Sequence, residues 1–190
     1  MKNLKEYFKA YPVIAGVRGN ESIKEAVKSN VLALFLLNGN IMQLDEIMRL
    51  AKKHNKLIFL HIDLIKGIGR DRAGVKYLAE KKLCDGIVTT KSYLIKAAKK
   101  ENLMAVQRLF LLDSCAVKTG KHLLENYRPD AVEILPGIAA PYFIKNVEQD
   151  KICPVIAGGL IREKEEIDHL LEEGVMSVST SNHKLWNYKK

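Results

Sequence analysis

The sequence is poor in cysteine and has no long apolar run, and each of these absences argues against certain classes of protein. Its three cysteines, Cys84, Cys115 and Cys153, are an odd number without short paired spacing, which argues against a disulfide framework and a zinc site. No apolar stretch approaches the roughly 18 residues that a membrane span needs. The amino terminus also lacks an apolar signal core with a cleavage pattern. We therefore expect a cytoplasmic protein with reduced thiols, no bound metal and no membrane partner.

The composition is that of one globular, basic domain. Hydrophobic residues make up 47% of the chain and charged residues 28%, a balance typical of folded proteins rather than disordered ones. No linker or low-complexity stretch divides residues 1–190, so we expect a single domain. The net charge of +9 favours an anionic partner, either a nucleic acid or a phosphorylated metabolite. The alternative is a solvated basic surface without a specific partner.

Eight short apolar runs recur along the chain at fairly even spacing. They are Pro12 to Arg18, Val31 to Leu37, Lys56 to Asp63, Asp85 to Thr90, Met104 to Leu112, Ala131 to Pro136, Pro154 to Gly159 and Val175 to Thr180. Near-continuous apolar runs of this kind are typical of parallel strands covered by helices.

Charged stretches with helical periodicity separate these runs. Examples are Ser22 to Ser29, Leu44 to His54, Asp71 to Lys82 and Glu163 to Glu173, each with apolar residues three or four apart. Eight strands in strict alternation with helices predict an α/β protein with a compact (β/α)₈ TIM-barrel fold, although 190 residues is slightly short for it. The amphipathic start, Leu4 to Ala10, is predicted to cap the N-terminal end of the barrel.

Polar residues follow nearly every predicted strand, where barrels of this class build their sites. They are Arg18, Asn38, Asp63, Lys66, Thr90, Lys91, Asp113, Ser114, Glu133, Gly158, Gly159, Ser179 and Thr180. Period-2 alternation places His61 on the same strand face as Asp63 and one layer deeper. A buried, hydrogen-bonded histidine is favoured there over a catalytic base.

The last two predicted strands carry the strongest local pattern. Gly158 and Gly159 end one of them, and the hydroxyl cluster Ser177 to Ser181 ends the other. In barrels these two loops and a helix N-terminus commonly bind phosphate through backbone N–H groups. The alternative is that the glycines only permit tight turns, but their coincidence with the hydroxyls favours a phosphate site.

The segment His61 to Gly74 is rich in glycine but matches neither the Walker nor the dinucleotide-binding spacing. Its Lys66, Arg70 and Arg72 are interpreted either as a cationic loop over the barrel mouth or as helix-entry charges.

More lysines fall near the ends of successive helices: Lys52, Lys53, Lys56, Lys81, Lys82, Lys96, Lys99 and Lys100. On the face opposite the ligand site they would suit an RNA backbone, or they would simply complement helix dipoles. Nothing matches an RRM, KH or zinc-finger signature.

Taken together, seven motifs resemble the glycerol-3-phosphate-responsive antiterminators of bacterial glycerol uptake operons. They are Pro12 to Arg18 (PVIAGVR), Leu36 to Asn40 (LLNGN), His61 to Asp71 (HIDLIKGIGRD), Gly86 to Lys91 (GIVTTK), Glu133 to Gly137 (EILPG), Ile156 to Leu160 (IAGGL) and Ser177 to Ser181 (SVSTS). The resemblance covers almost the whole chain, and the motifs are specific only as a set.

The resemblance implies a non-catalytic barrel without a cofactor, which binds glycerol 3-phosphate and acts on leader mRNA to prevent premature termination. Gly158, Gly159, Ser179 and Thr180 would then hold the phosphate. The glycerol end would be lined by Arg18, Asp63, Lys66, Lys91, Gln107 and Glu133. We expect the ligand to order the segment 66–72 or to close a homodimer, because an effector must distinguish two states.

An enzyme is the competing hypothesis, since barrels with a phosphate signature are usually catalytic. An isomerase, lyase or transferase acting on a phosphorylated metabolite would use Asp63 and Glu133 as acid and base. Lys66 or Lys91 would act as an electrophile or form a Schiff base. The fold alone does not choose between regulator and enzyme.

Overall fold

Ten parallel-paired strands organise the computed structural model, which describes residues 4–148 and 153–189. In chain order they are β1 (Val13–Val17), β2 (Ala33–Leu36), β3 (Gly39–Asn40), β4 (Leu57–His61), β5 (Ile65–Lys66), β6 (Gly86–Thr89), β7 (Met104–Phe110), β8 (Ala131–Leu135), β9 (Val155–Gly158) and β10 (Ser177–Thr180). Eight of them close a barrel in the order β1-β10-β9-β8-β7-β6-β4-β2. β3 and β5 pair only with each other.

Eight α-helices lie between or before the strands of the described residues. They are α1 (Leu4–Ala10), α2 (Asn20–Lys28), α3 (Leu44–Lys53), α4 (Arg72–Glu80), α5 (Ser92–Lys100), α6 (Ser114–Tyr127), α7 (Ala140–Asn146) and α8 (Lys164–Glu172). The predicted (β/α)₈ barrel is therefore confirmed, and each predicted strand run contains one barrel strand. No helix among the described residues is long and apolar enough to cross a membrane.

Alternate residues of most barrel strands contribute to two separate cores. Ile14, Phe35, Phe59 and Val106 belong to the interior cluster, whereas their strand neighbours pack between the sheet and the helices. The rings of Phe35 and Phe59 meet edge to face with centroids 5.5 Å apart. This alternation decides which polar side chains at the strand ends face the barrel axis.

Helix α1 closes the N-terminal end of the barrel, as the sequence predicts. Its Leu4 and Phe8 are buried and belong to the interior cluster, together with Leu57 and Met104 at the starts of their strands. The apolar face of this short helix is thus satisfied inside the barrel, and the polar opening lies at the opposite end.

The glycine-rich segment after β4 is held by several local contacts. The ladder of β3 with β5 joins it to the loop after β2. The Asp71 carboxylate accepts a hydrogen bond from the Gly74 amide, 2.8 Å away, and the Tyr93 hydroxyl donates to the Arg70 carbonyl at 2.7 Å. These contacts join segment 66–72 to the loop after β2 and to α5, and its ordering by ligand stays a prediction.

Candidate functional site

A cavity of about 490 Å³ opens at the C-terminal ends of the barrel strands, and we call it the mouth cavity. Five of the predicted ligand residues line it: Arg18, Glu133, Gly159, Ser179 and Thr180. The strand order places β10, β9 and β8 side by side, which explains why residues from distant parts of the chain meet here.

A buried network of three side chains forms the floor of the cavity. The guanidinium Nε of Arg108 donates to Oε2 of Glu133 at 2.6 Å, and the Ser179 hydroxyl donates to Oε1 of Glu133 at 2.5 Å. Glu133 is 1% exposed and Arg108 is 9% exposed. A buried carboxylate is tolerated only when its charge is paired and its oxygens accept hydrogen bonds, and both conditions are met here.

Gly158 leaves the space in which this network forms. A Cβ atom at this position would lie 2.7 Å from both Oε1 of Glu133 and Oγ of Ser179. Any larger residue would therefore push apart the two groups that are hydrogen-bonded to each other. The predicted ligand residue Gly158 thus acts on the site through the packing of its floor.

The loop after β9 has an unusual backbone. Gly159 and Leu160 both have positive φ, 76° and 61°, and a bulky residue rarely adopts this conformation. Two hydrogen bonds tie this loop to the end of β10: Oγ1 of Thr180 donates to the Ile161 carbonyl at 3.2 Å, and the side-chain Nδ2 of Asn182 donates to the Arg162 carbonyl at 2.8 Å. The two loops predicted to bind phosphate are therefore joined.

The N-terminus of α8 is already occupied by carboxylates of the chain itself. Glu163 and Glu166 form a capping box, and Oε2 of Glu166 accepts from the Arg162 and Glu163 amides at 2.7 and 2.9 Å. These backbone hydrogen bonds lower the pKa of Glu166. The first amides of α8 are therefore already paired within the chain, and the contribution of a helix N-terminus to the phosphate site stays a prediction.

The charge of the mouth cavity favours an anion. Arg18, Arg108 and Arg162 line it, and Glu133 is the carboxylate among the described lining residues. Guanidinium groups pair with phosphate oxygens through two parallel hydrogen bonds. The lining thus carries an excess of two positive charges, which suits a doubly charged phosphate monoester.

Arg108 and Arg162 were missed by the sequence analysis. Arg108 follows Gln107 in a run where both strand faces are apolar, so the sequence does not reveal which of the two points inward. Arg162 lies in the loop after the glycine pair, and its closeness to Gly158 in the sequence could have identified it as a candidate site residue. Gln107 faces away from the axis, and its Nε2 donates to the carbonyls of Thr89, Thr90 and Arg108 at 3.1–3.2 Å.

Four other predicted ligand residues lie outside the mouth cavity. Asn38 and Lys66 line a second cavity of about 380 Å³ beside β3 and β5. Oδ2 of Asp63 accepts from the Thr89 hydroxyl and the Thr90 amide, both at 2.9 Å. Lys91 precedes α5, and its amide donates to the Thr89 hydroxyl at 3.0 Å. Asp63 and Lys91 thus help to shape the end of β6.

His61 is buried inside the barrel, as expected, but its Nδ1 has no hydrogen-bond partner among the described residues. Burial, together with the nearby positive charge of Arg108, lowers the pKa of His61 to about 4, although Asp63, with Oδ2 3.8 Å from Nδ1, acts in the opposite direction. The imidazole is therefore neutral near pH 7.

The lysines proposed to bind RNA lie near the N-terminal face, and some of them already have partners. Nζ of Lys56 donates to the Ser29 carbonyl at 2.8 Å. Nζ of Lys99 donates to the Arg128 carbonyl at 2.6 Å, and Lys96 lies over the Tyr127 ring. Lys52 and Lys82 line a third cavity of about 360 Å³. Structural roles thus account for part of the predicted basic surface.

The fold and the mouth cavity define a class: a (β/α)₈ barrel with an arginine-rich cavity at the C-terminal ends of its strands. Residues 13–186 match the family described as glycerol-3-phosphate responsive antiterminator. The chain belongs to this family, and the resemblance inferred from the seven motifs is confirmed. Among curated proteins, YgcP of Escherichia coli K12 is 33% identical over 179 residues, which are 94% of this chain and 93% of that protein.

Two solved structures share both the fold and substantial sequence identity. A glycerol uptake operon antiterminator regulatory protein from Listeria monocytogenes has a TM-score of 0.86 and 29% identity, covering 94% of this chain and 96% of that one. A glycerol uptake operon antiterminator-related protein from Thermotoga maritima has a TM-score of 0.83 and 33% identity, covering 93% and 98%. A deoxyribose phosphate aldolase from Aeropyrum pernix, 14% identical with a TM-score of 0.71 over 97% and 92% of the two chains, shares the fold alone.

Proposed function

We propose that this protein is a transcription antiterminator that binds glycerol 3-phosphate in the mouth cavity and then binds leader mRNA in the cytoplasm to prevent premature termination. The observation that carries the ligand assignment is the meeting of Arg18, Arg108 and Arg162 with the linked loops of β9 and β10. The phosphate lies against the loop of Gly159 and Leu160 and pairs with Arg162 and Arg18. The hydroxyl groups of glycerol face the floor, where Glu133 and Ser179 accept hydrogen bonds.

The mouth cavity supports binding better than turnover. No lysine is found among its described lining residues, so a Schiff base has no amine there. Both oxygens of Glu133 accept hydrogen bonds from Arg108 and Ser179, which leaves this carboxylate poorly placed to exchange a proton. We therefore propose a regulator without a cofactor in preference to a barrel enzyme.

Glycerol 3-phosphate should stabilise the protein without being consumed. At about a hundred times its dissociation constant, a ligand of the folded state adds about 2.7 kcal/mol to the free energy of unfolding. Glycerol without the phosphate should give no comparable shift in a thermal melt, because the arginines then have no anion to bind. Product formation in a screen of phosphorylated metabolites would overturn the regulator and favour the enzyme.

Arg162→Gln should weaken binding of glycerol 3-phosphate about 10- to 100-fold, since a hydrogen bond to a charged group contributes about 1.5–3 kcal/mol. Isothermal titration calorimetry measures the affinity directly. Lys118→Gln, on the exposed side of α6, removes the same charge from a residue that does not line the cavity and is the matched control. Equal affinities of the two variants would show that the phosphate binds elsewhere.

The RNA step is tested by retention of a leader transcript on filters. The transcript comes from the glycerol genes of the genome that encodes this chain, and a scrambled transcript of the same length is the control. Retention should require glycerol 3-phosphate and weaken as salt rises. Retention that is identical with and without the ligand would refute the antiterminator function.

A further inference from the structure

Exposed apolar side chains are concentrated around the mouth of the barrel. Phe110, Leu112, Ile138, Tyr142 and Leu160 are between 53% and 82% exposed, and we call them the mouth patch. Phe110 ends β7, Leu112 follows it, Ile138 and Tyr142 lie between β8 and β9 on the loop and in α7, and Leu160 follows β9. The strands β7, β8 and β9 are neighbours in the barrel. Contiguous exposed apolar patches mark binding surfaces in soluble proteins.

Cationic side chains surround the same opening. They are Lys66, Arg70, Arg72 and Lys91, besides Arg18 and Arg162, which we assign to the ligand phosphate, and none of these six side chains forms a salt bridge or hydrogen bond within residues 4–148 and 153–189. Several carboxylates of these loops, by contrast, accept hydrogen bonds from helix N-termini: Asp71 from the Gly74 amide and Asp113 from the Ala116 amide. The loops therefore present unpaired positive charge.

Aromatic groups interspersed with unpaired cations match the chemistry of single-stranded RNA. Unstacked bases pack on aromatic rings, and the phosphates between them bind Lys and Arg. Phe110 and Tyr142 lie on one side of the mouth, and Tyr93, 47% exposed, lies near Arg70, whose carbonyl accepts from its hydroxyl. A second copy of the chain fits less well, because a two-fold contact through this face would oppose the same cations on both subunits.

The N-terminal face lacks this combination. Its aromatic candidate, Tyr127, is partly buried beneath Lys96, and Lys56 and Lys99 bind backbone carbonyls of their own chain. Within the described residues, no large apolar side chain is exposed on the loops that lead into the barrel strands. Lysines alone would attract RNA without providing a surface on which bases stack.

We propose that leader RNA binds as a single strand across the mouth patch and the surrounding cations, directly over the ligand cavity. This inference rests on the proposed function. The loop of Gly159 to Arg162 belongs both to the ligand cavity and to the mouth patch. Leu160 and Arg162 line the cavity, and the Leu160 side chain, 72% exposed, is also part of the patch. Ligand that fixes this loop therefore acts on RNA binding without a path through the barrel.

Two pairs of variants test the surface, with glycerol 3-phosphate at saturation and the same leader transcript. Phe110→Ala with Tyr142→Ala should weaken RNA binding at least tenfold, because loss of a stacked aromatic typically weakens it by fivefold or more. Tyr77→Ala, a partly exposed aromatic on α4, is the control and should bind as the wild type does.

Arg70→Gln with Arg72→Gln should reduce the salt dependence of binding. The slope of log affinity against log salt should fall in magnitude by about 1.4, at about 0.7 for each phosphate contact on a single strand. Lys52→Gln with Lys53→Gln removes two charges from the N-terminal face and should leave the slope unchanged. Calorimetry with glycerol 3-phosphate should give wild-type affinity for all four variants.

The outcomes separate this surface from the function on which it rests. Wild-type protein that shows no ligand-dependent RNA binding refutes the antiterminator itself. If the wild type responds to ligand but only the Lys52 and Lys53 variant loses RNA, the RNA site is on the N-terminal face and our proposal is wrong. If sedimentation shows that the wild type is a dimer and the mouth-patch variants are monomers, while the variants bind RNA normally, the patch is a contact between subunits and our proposal is wrong. Crosslinks from 4-thiouridine in the transcript to peptides containing Phe110 or Tyr142 would support the proposal directly.

Discussion

Arg108→Met should lower the free energy of unfolding by about 3–5 kcal/mol, the range found when one partner of a buried ion pair is removed. Glu133 is 1% exposed, and in the variant it loses the guanidinium that donates to its Oε2 at 2.6 Å. Ser179 continues to donate to Oε1, but a hydroxyl does not neutralise the charge. Urea unfolding at pH 7 measures the loss.

Two further variants show whether the unpaired charge is the cause. In the double variant Arg108→Met with Glu133→Gln, the carboxylate is gone, and more than half of the lost stability should return. Arg49→Met removes an arginine paired with Asp45 on the exposed surface of α3, where such pairs contribute at most about 1 kcal/mol. A loss for Arg108→Met as small as that of Arg49→Met would contradict the buried pair.

Acid should destabilise the protein through His61 between pH 6.5 and about pH 4. The unfolded chain protonates this imidazole near pH 6.5, but burial holds its pKa near 4 in the folded chain. Within this window the unfolded state binds more protons, so stability falls as the pH is lowered. The difference corresponds to about 3 kcal/mol when the pH passes both values.

Urea unfolding at a series of pH values provides the measurement. His61→Leu should flatten the curve between pH 6.5 and 4, because leucine fills the interior position without a titratable group. His122→Leu, on the exposed side of α6, should leave the curve unchanged. A wild-type curve that is flat in this window would show that His61 is protonated without penalty.

The periodic features of the chain could be predicted from the sequence. Short apolar runs and amphipathic stretches determine where strands and helices form, and α1 was recognised because its apolar residues have helical spacing. The prediction failed where periodicity carries no information. β3 and β5 contain two residues each, which is too few for a pattern. Asn38 and Lys66, at these strands, line the second cavity rather than the mouth cavity.

Some residues that line the mouth cavity could be predicted because they are locally unusual in the sequence, and their role in binding stays a prediction. The glycines after β9 and the hydroxyls of β10 were found because their composition is unusual. Arg108 was missed because Met104, Ala105 and Val106 are all apolar, so that nothing in the run indicates which face is interior. The capping box of α8, by contrast, is visible in the sequence as Glu163 and Glu166, whose carboxylates accept hydrogen bonds from the first amides of that helix.

Helix α1 has a consequence for the route by which a bound ligand would leave the barrel. Because Leu4 and Phe8 fill the N-terminal end of the barrel, the described mouth cavity exchanges its contents with solvent only at the end where the strands finish. If RNA lies over that opening, a bound metabolite cannot dissociate until the RNA does. The residence time of the ligand would then be set by that of the RNA.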